Sequence, residues 1–90
     1  MPTIKIPLPF RTYTAGNSEV SVQGETVSQA LADLMEQHPA FRPHLVNAEG
    51  RLRPHINLFV EGSNIRNLQG LDTPLADADT LRVVPSIAGG

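Results

Sequence analysis

Apolar and polar residues alternate along "TIKIPLPF", with Ile4, Ile6, Leu8 and Phe10 on one side and Thr3, Lys5, Pro7 and Pro9 on the other. A period of two predicts a strand with one buried face. Pro7 and Pro9 lack N–H groups, so regular pairing is expected to weaken after Ile6. "TAGN" reads as a turn. "EVSVQG" reads as a second strand with Val20 and Val22 inward, completing a hairpin with a long, loose connection.

The period lengthens in "GETVSQALADLMEQHP". Val27, Ala30, Leu31, Leu34 and Met35 recur at helical spacing and form one apolar stripe. Thr26 is placed to cap the helix, with Gln29 three residues on as in a capping box, and Pro39 stops it. "AFRPHLV" reads as a turn or partial helix whose Phe41 and Leu45 seal one end of the core. "NAEGRLRP" is polar and loop-like. Alternation returns in "HINLFVEG", with Ile56, Leu58 and Val60 inward and Asn57 and Phe59 outward. A turn at "EGSN" leads to a very short strand around "NIRNL". "QGLDTPLADADT" is an irregular connection, with a 3₁₀ turn expected near Pro74-Leu75-Ala76. "TLRVVPSI" is the last strand: Leu81 and Val83 point inward, Arg82 and Val84 outward.

A hairpin, a crossing helix and further strands on the same sheet predict a two-layer α+β domain. The crossover makes the first and last strands parallel neighbours with the helix on one face. This is the β-grasp arrangement, a mixed sheet of about four to five strands under one main helix. Residues 1–85 are expected to form the domain and 86–90 a flexible C-terminal tail.

Composition narrows the chemistry. The chain has 90 residues and a net charge of −2. That is one small domain, without the basic surplus a nucleic-acid binder needs. It contains no Cys, which excludes disulfides, thiolate metal sites and cysteine nucleophiles. The N-terminal stretch lacks the apolar core of a signal peptide, and no apolar run approaches a membrane span. A cytoplasmic protein, monomeric when free and without a membrane partner, is expected. His38, His44 and His55 lack the tight spacing of a zinc site, so no metal is expected. His44 and His55 fall beside Arg42, Arg51 and Arg53 and read as a solvated loop face. Asp72, Asp77 and Asp79 read as turn formers, with docking to a basic groove as the alternative. Phe59, Arg82 and Val84 would share the outward sheet face. Either Phe59 is a partly covered surface aromatic, or the three form a partner interface, where aromatics are enriched.

The segment "LADADTLRVVPSIAGG" places an Asp-x-Asp turn before an apolar strand, then Pro85, then Ala88-Gly89-Gly90. With the central strand "HINLFVEG", it resembles the ubiquitin-like sulfur carrier proteins. These include the small subunit of molybdopterin synthase and the thiamine-pathway carrier. The resemblance covers essentially the whole chain, and the long middle segment and Pro-rich first strand look closest to the cysteine-biosynthesis branch.

The resemblance implies that the chain is no enzyme. Its Gly90 carboxylate would be adenylated by an E1-like adenylyltransferase and sulfurtransferase, which uses ATP and magnesium. A sulfur donor would displace AMP and leave a thiocarboxylate. The carrier binds no cofactor of its own. Its further partners would be a sulfur-accepting synthase, such as a PLP-dependent cysteine synthase, and a metalloprotease that releases the product. An ionised carboxylate is a poor electrophile, which is why activation is required. Gly90 carries no Cβ to shield the carbonyl carbon, and Gly89 leaves the backbone free to fit a partner's channel. Ser86, Ile87, Ala88, Gly89 and Gly90, fully extended, reach about 17 Å at roughly 3.3 Å per residue. Pro85 is expected to end the ladder and, with Phe59, Arg82 and Val84, to meet the partner. Two alternatives share the fold: a protein modifier that forms isopeptides through Gly90, and an interaction module whose Gly-Gly is incidental. Lys5 is the one lysine among seven Lys and Arg residues, which leaves almost no acceptor for polymeric chains of a modifier.

Overall fold

The computed structural model describes residues 1–86. Five strands pair in the order β2-β1-β5-β3-β4. They are β1 (Thr3–Lys5), β2 (Glu19–Ser21), β3 (Ile56–Val60), β4 (Ser63–Asn64) and β5 (Thr80–Pro85). β1 and β5 run parallel, with Ile4 opposite Leu81, and every other pairing is antiparallel. The expected central parallel pair is therefore present.

Helix α1 (Val27–Gln37) buries Val27, Ala30, Leu31 and Leu34. These join Ile4, Val22, Ile56, Leu58, Leu81 and Val83 in one core, with Met35 partly buried at its margin. The cap is as expected on one side: the Gln29 N–H donates to Thr26 Oγ1 at 3.2 Å. The reciprocal bond lands one residue earlier, from the Glu25 N–H to Gln29 Oε1 at 2.8 Å. The Val27 N–H donates to the Thr73 carbonyl, so a later segment satisfies another donor of the first turn. Phe41 and Leu45, the latter in α2 (Arg42–Leu45), are fully buried and close one end of the core.

Three local expectations fail. The first strand stops at Lys5, and Leu8–Thr14 forms a 3₁₀ helix. Leu8 is 73% exposed rather than inward. Pro7 supplies the extended entry, and Pro9 falls in the first turn, where a missing N–H costs nothing. Beyond Ile6, two-residue alternation thus gives way to three-residue spacing, which brings Phe10 and Tyr13 onto Phe41. Secondly, the short strand is Ser63–Asn64, and Ile65–Asn67 is 3₁₀. The Asn64 side chain accepts the Arg66 N–H at 2.9 Å, a local bond that competes with the ladder. Thirdly, the later 3₁₀ turn is Gly70–Asp72. Pro74 and Leu75 run beside the helix entry instead, with Thr26 bridging Pro74 and the Leu75 N–H bonded to Glu25.

Gly24 joins β2 to α1 with φ of +156°, and a Cβ there would lie 2.7 Å from the Ala30 nitrogen. The obstacle is helix backbone, which cannot swing aside. Gly24→Ala is expected to cost about 2 kcal/mol or more from backbone strain and displacement of the helix start. Urea unfolding checks it, and a loss under about 0.5 kcal/mol, the range of an ordinary surface substitution, would refute the close approach.

Candidate functional site

Alternation on β3 and β5 builds the outward face. Phe59 stands opposite Arg82, and Asn57 opposite Val84. Phe59, Asn57 and Val84 are half-buried and Arg82 is exposed. Phe59, Arg82 and Val84, with Lys5, Glu61 and Thr80, line a groove of about 560 Å³. Lys5 and Arg82 supply cationic heads over an apolar floor of Phe59 and Val84. Glu61 closes one end. It occupies the hairpin between β3 and β4 with φ of 48°, followed by Gly62 at 88°, as a two-residue turn of type I′ requires. Its carboxylate accepts the Thr80 N–H at 2.8 Å, which ties this turn to the start of β5.

The early end of β1 shapes a second groove. β1 stops opposite Arg82 while β5 continues to Pro85. A space of about 400 Å³ opens along that flank, lined by Lys5, Pro7, Arg11, Arg82 and Pro85 among others. Arg11 is held there by its Nε–H, which donates to the Ile6 carbonyl at 3.1 Å.

Pro85 is the last residue of β5, where the ladder is expected to end. It stands opposite Ile56, and the next residue, Ser86, donates its N–H to the His55 carbonyl at 2.7 Å. Successive N–H groups point to opposite sides of a strand. The N–H that Pro85 lacks would face the vacated β1 side, so the proline is accommodated without loss. Ser86 is also held through its side chain, which accepts Asn57 Nδ2–H at 2.8 Å. Ile87, Ala88, Gly89 and Gly90 lie outside the described residues.

Several of the other singled-out side chains make local contacts. Asp79 Oδ2 accepts the Ala76 N–H at 2.8 Å, the turn role expected of this loop. Asp77 lies 3.7 Å from the N-terminal ammonium, an exposed contact of little energetic weight. His44 stacks on Tyr13 at a centroid distance of 4.0 Å, and Arg53 Nε–H donates to the Pro43 carbonyl at 2.7 Å. Among the described residues, no group of three or more His, Asp or Glu side chains is placed to hold a metal. No helix among them is long and apolar enough to cross a membrane.

The model of the ThiS family matches residues 4–90. The chain belongs to the ThiS family. This ThiS-family chain is 31% identical over 90 residues to the sulfur carrier protein CysO of Mycobacterium tuberculosis, covering 98% of this chain and 97% of the relative. It superposes on a chain of the Amycolatopsis orientalis BexX/CysO complex with a TM-score of 0.90 and 34% identity, covering 100% of both chains. Small archaeal modifier protein 1 of Methanosarcina acetivorans matches with a TM-score of 0.85 and 32% identity, over 99% of this chain and 95% of that one. The ubiquitin-like β-grasp expected from the order of elements is thereby established.

Phe59, Arg82 and Val84 lie together on the outward face, as the alternation predicts, whereas Pro85 has the opposite parity on β5 and lines the other groove. Sequence reasoning missed Lys5 and Glu61 as groove residues, and Arg66 as the anchor of Asn57. For Lys5 a signal was present: it is outward on the strand parallel to β5. For Arg66 there was none, because only the folded β3–β4 hairpin returns it to β3.

Proposed function

We propose that this chain is a sulfur carrier whose reacting group is the Gly90 carboxylate. One oxygen of that carboxylate attacks the α-phosphorus of ATP on an E1-like enzyme, and pyrophosphate leaves. A hydrosulfide ion then attacks the acyl carbon, AMP leaves with the electron pair of the C–O bond, the proton is lost to solvent, and a C-terminal thiocarboxylate remains. No side chain of the carrier takes part in either step. The carrier supplies a positioned end and a surface, and the sulfur passes on to a biosynthetic acceptor, for which cysteine synthesis is the first assignment.

The observation that carries the reading is the place where β5 leaves the sheet. The strand contributes Arg82 and Val84 to both grooves, and its end is fastened at Ser86. Four residues then separate a fixed point from the reacting carboxylate, a reach of at most about 13 Å. That is long enough to enter an active site while the body docks outside. The tail in this reading is Ile87–Gly90, with Ser86 as its root.

Intact mass spectrometry of the chain from its native host tests the assignment. A gain of about 16 Da, one oxygen replaced by sulfur, is expected and is lost on deletion of Gly90. Adducts on lysines of other proteins, with no such gain, would instead establish a modifier.

The same reading predicts the effect of reversing charge on the outward face. Arg82→Glu should raise KM for the activating enzyme about tenfold, as expected for a charge moved against its complement. Turnover and melting temperature should stay nearly unchanged, because Arg82 is solvent-exposed. Steady-state pyrophosphate release measures this, and an unchanged KM would remove Arg82 from the interface.

A further inference from the structure

Beside the root of the tail, four groups form a continuous hydrogen-bonded chain. Arg66 Nη2–H donates to the Pro54 carbonyl at 3.0 Å, and Arg66 Nη1–H donates to Asn57 Oδ1 at 2.8 Å. Asn57 Nδ2–H then donates to Ser86 Oγ at 2.8 Å. The order of donors is dictated by chemistry. A guanidinium has no acceptor, so the atom of Asn57 that meets Arg66 is its oxygen. The amide nitrogen is thereby turned toward Ser86, whose hydroxyl oxygen must accept. Arg66 is itself aimed from both ends, by its fork to Pro54 and by its backbone N–H bonded to Asn64 Oδ1.

The register explains why the chain ends on Ser86. Asn57 stands opposite Val84, so Ser86, two residues further, is its diagonal neighbour on the same face. Together with the backbone bond to His55, the Asn57 amide gives Ser86 two attachments, one on the main chain and one on the side chain. Either bond alone leaves a rotation open. The first fixes the peptide that enters Ser86 and the second fixes its side-chain rotamer, so together they hold the Ser86 Cα and Cβ in place.

We infer that Asn57 and Arg66 are positioning residues for the C-terminal carboxylate, holding in place the residue, Ser86, from which the last four residues start. The role rests on the carrier reading above. These side chains lie at the surface, where a hydrogen bond contributes little to global stability. Their geometry is what matters, because small misplacements of a reacting group are costly in rate.

The test uses the full chain, in wild-type form and as Asn57→Ala, Arg66→Lys, Ser86→Ala and Ser86→Thr. Arg66→Lys keeps the charge but cannot span Pro54 and Asn57 with a planar fork. One arm measures the hydrogen-exchange protection and ¹⁵N order parameter of the Ser86 amide. The other measures adenylation by the host's activating enzyme with ATP. Asn57→Ala, Arg66→Lys and Ser86→Ala are expected to lower protection of the Ser86 amide. They should lower kcat about threefold to tenfold, the worth of one hydrogen bond, with a smaller change in KM because Lys5, Phe59, Arg82 and Val84 of the groove are themselves unaltered. Ser86→Thr keeps the hydroxyl and should restore both. Unchanged Ser86 protection, or lost protection with unchanged kcat, overturns the positioning role while leaving the carrier reading standing. A wild-type chain that is never adenylated overturns the carrier reading and with it the positioning role. The first arm, which needs no enzyme, tells that failure apart from failure of the network.

Discussion

A chain extended by one alanine after Gly90 should acquire no sulfur, while its melting curve overlays that of the original chain. The added residue moves the free carboxylate outward by about 3.5 Å and replaces the Gly90 carboxylate with an amide. An amide oxygen cannot attack ATP as a carboxylate does. The displaced terminal carboxylate now carries an alanine Cβ and overshoots a site matched to the tail's length. Misplacement of a reacting group by about 1 Å can cost a hundredfold in rate, so a loss beyond about a hundredfold in adenylation is expected here. The fold should be indifferent, because the core ends at Val83 and the last described hydrogen bonds are those of Ser86. Pyrophosphate release and intact mass give the activity, and thermal unfolding gives the fold. An extended chain that is adenylated at the original rate would mean that the reacting group is not the terminal carboxylate.

The second large effect concerns stability. Phe41 is the largest side chain that is fully buried. Phe10 meets it edge-on at 5.2 Å, and Tyr13 lies tilted at 6.0 Å. Truncation to alanine removes the ring and leaves a void flanked by two aromatics that are themselves anchored in a stiff 3₁₀ segment. Collapse around the void is therefore restricted, which favours the upper part of the usual range, about 3–5 kcal/mol for Phe→Ala. A domain of this size has on the order of 5–13 kcal/mol in total. At about 4–8 °C per kcal/mol for such a domain, Phe41→Ala should lower the melting temperature by at least about 12 °C. Leu8→Ala, exposed on the same segment, should change it by little. Equal effects of the two substitutions would refute the placement of the 3₁₀ segment against Phe41.

That contrast between Leu8 and Phe10 marks the limit of pattern reading. Both fit an alternating strand, and the sequence contains the reason they do not share one: Pro7 and Pro9 remove the donors a ladder would use. What it does not show is that Phe41 comes to lie against Phe10 and Tyr13. Three-residue spacing became favourable because Phe41, after the helix, offered a surface for Phe10 and Tyr13. The Ser63–Asn64 strand and the Gly70–Asp72 turn were misplaced for a related reason. Asn64 and Thr73 bond to nearby backbone, and such short-range choices are decided by the packing around them.

The outward face divides in the same way. Alternation alone put Phe59, Arg82 and Val84 on one side, and membership of the ThiS family accords with the carrier reading of the tail. The identity of the groove needed register: Phe59 across from Arg82, Lys5 beside Arg82, and Glu61 folded back onto Thr80.

By itself, then, the sequence determined the period of most elements, the helix and its cap, the parallel pairing of first and last strands, and a Gly-Gly pair a few residues behind the last strand. These are local or topological, set by side-chain spacing and by the handedness of the crossover. Only the tertiary structure decided how Ser86, just past the last strand, is held. Asn57 and Ser86 lie 29 residues apart, and Arg66 reaches Asn57 only after the β3–β4 hairpin has closed. A hydrogen bond between distant residues has no period and no spacing to read, because it depends on which surfaces the packed sheet brings within about 3 Å of each other.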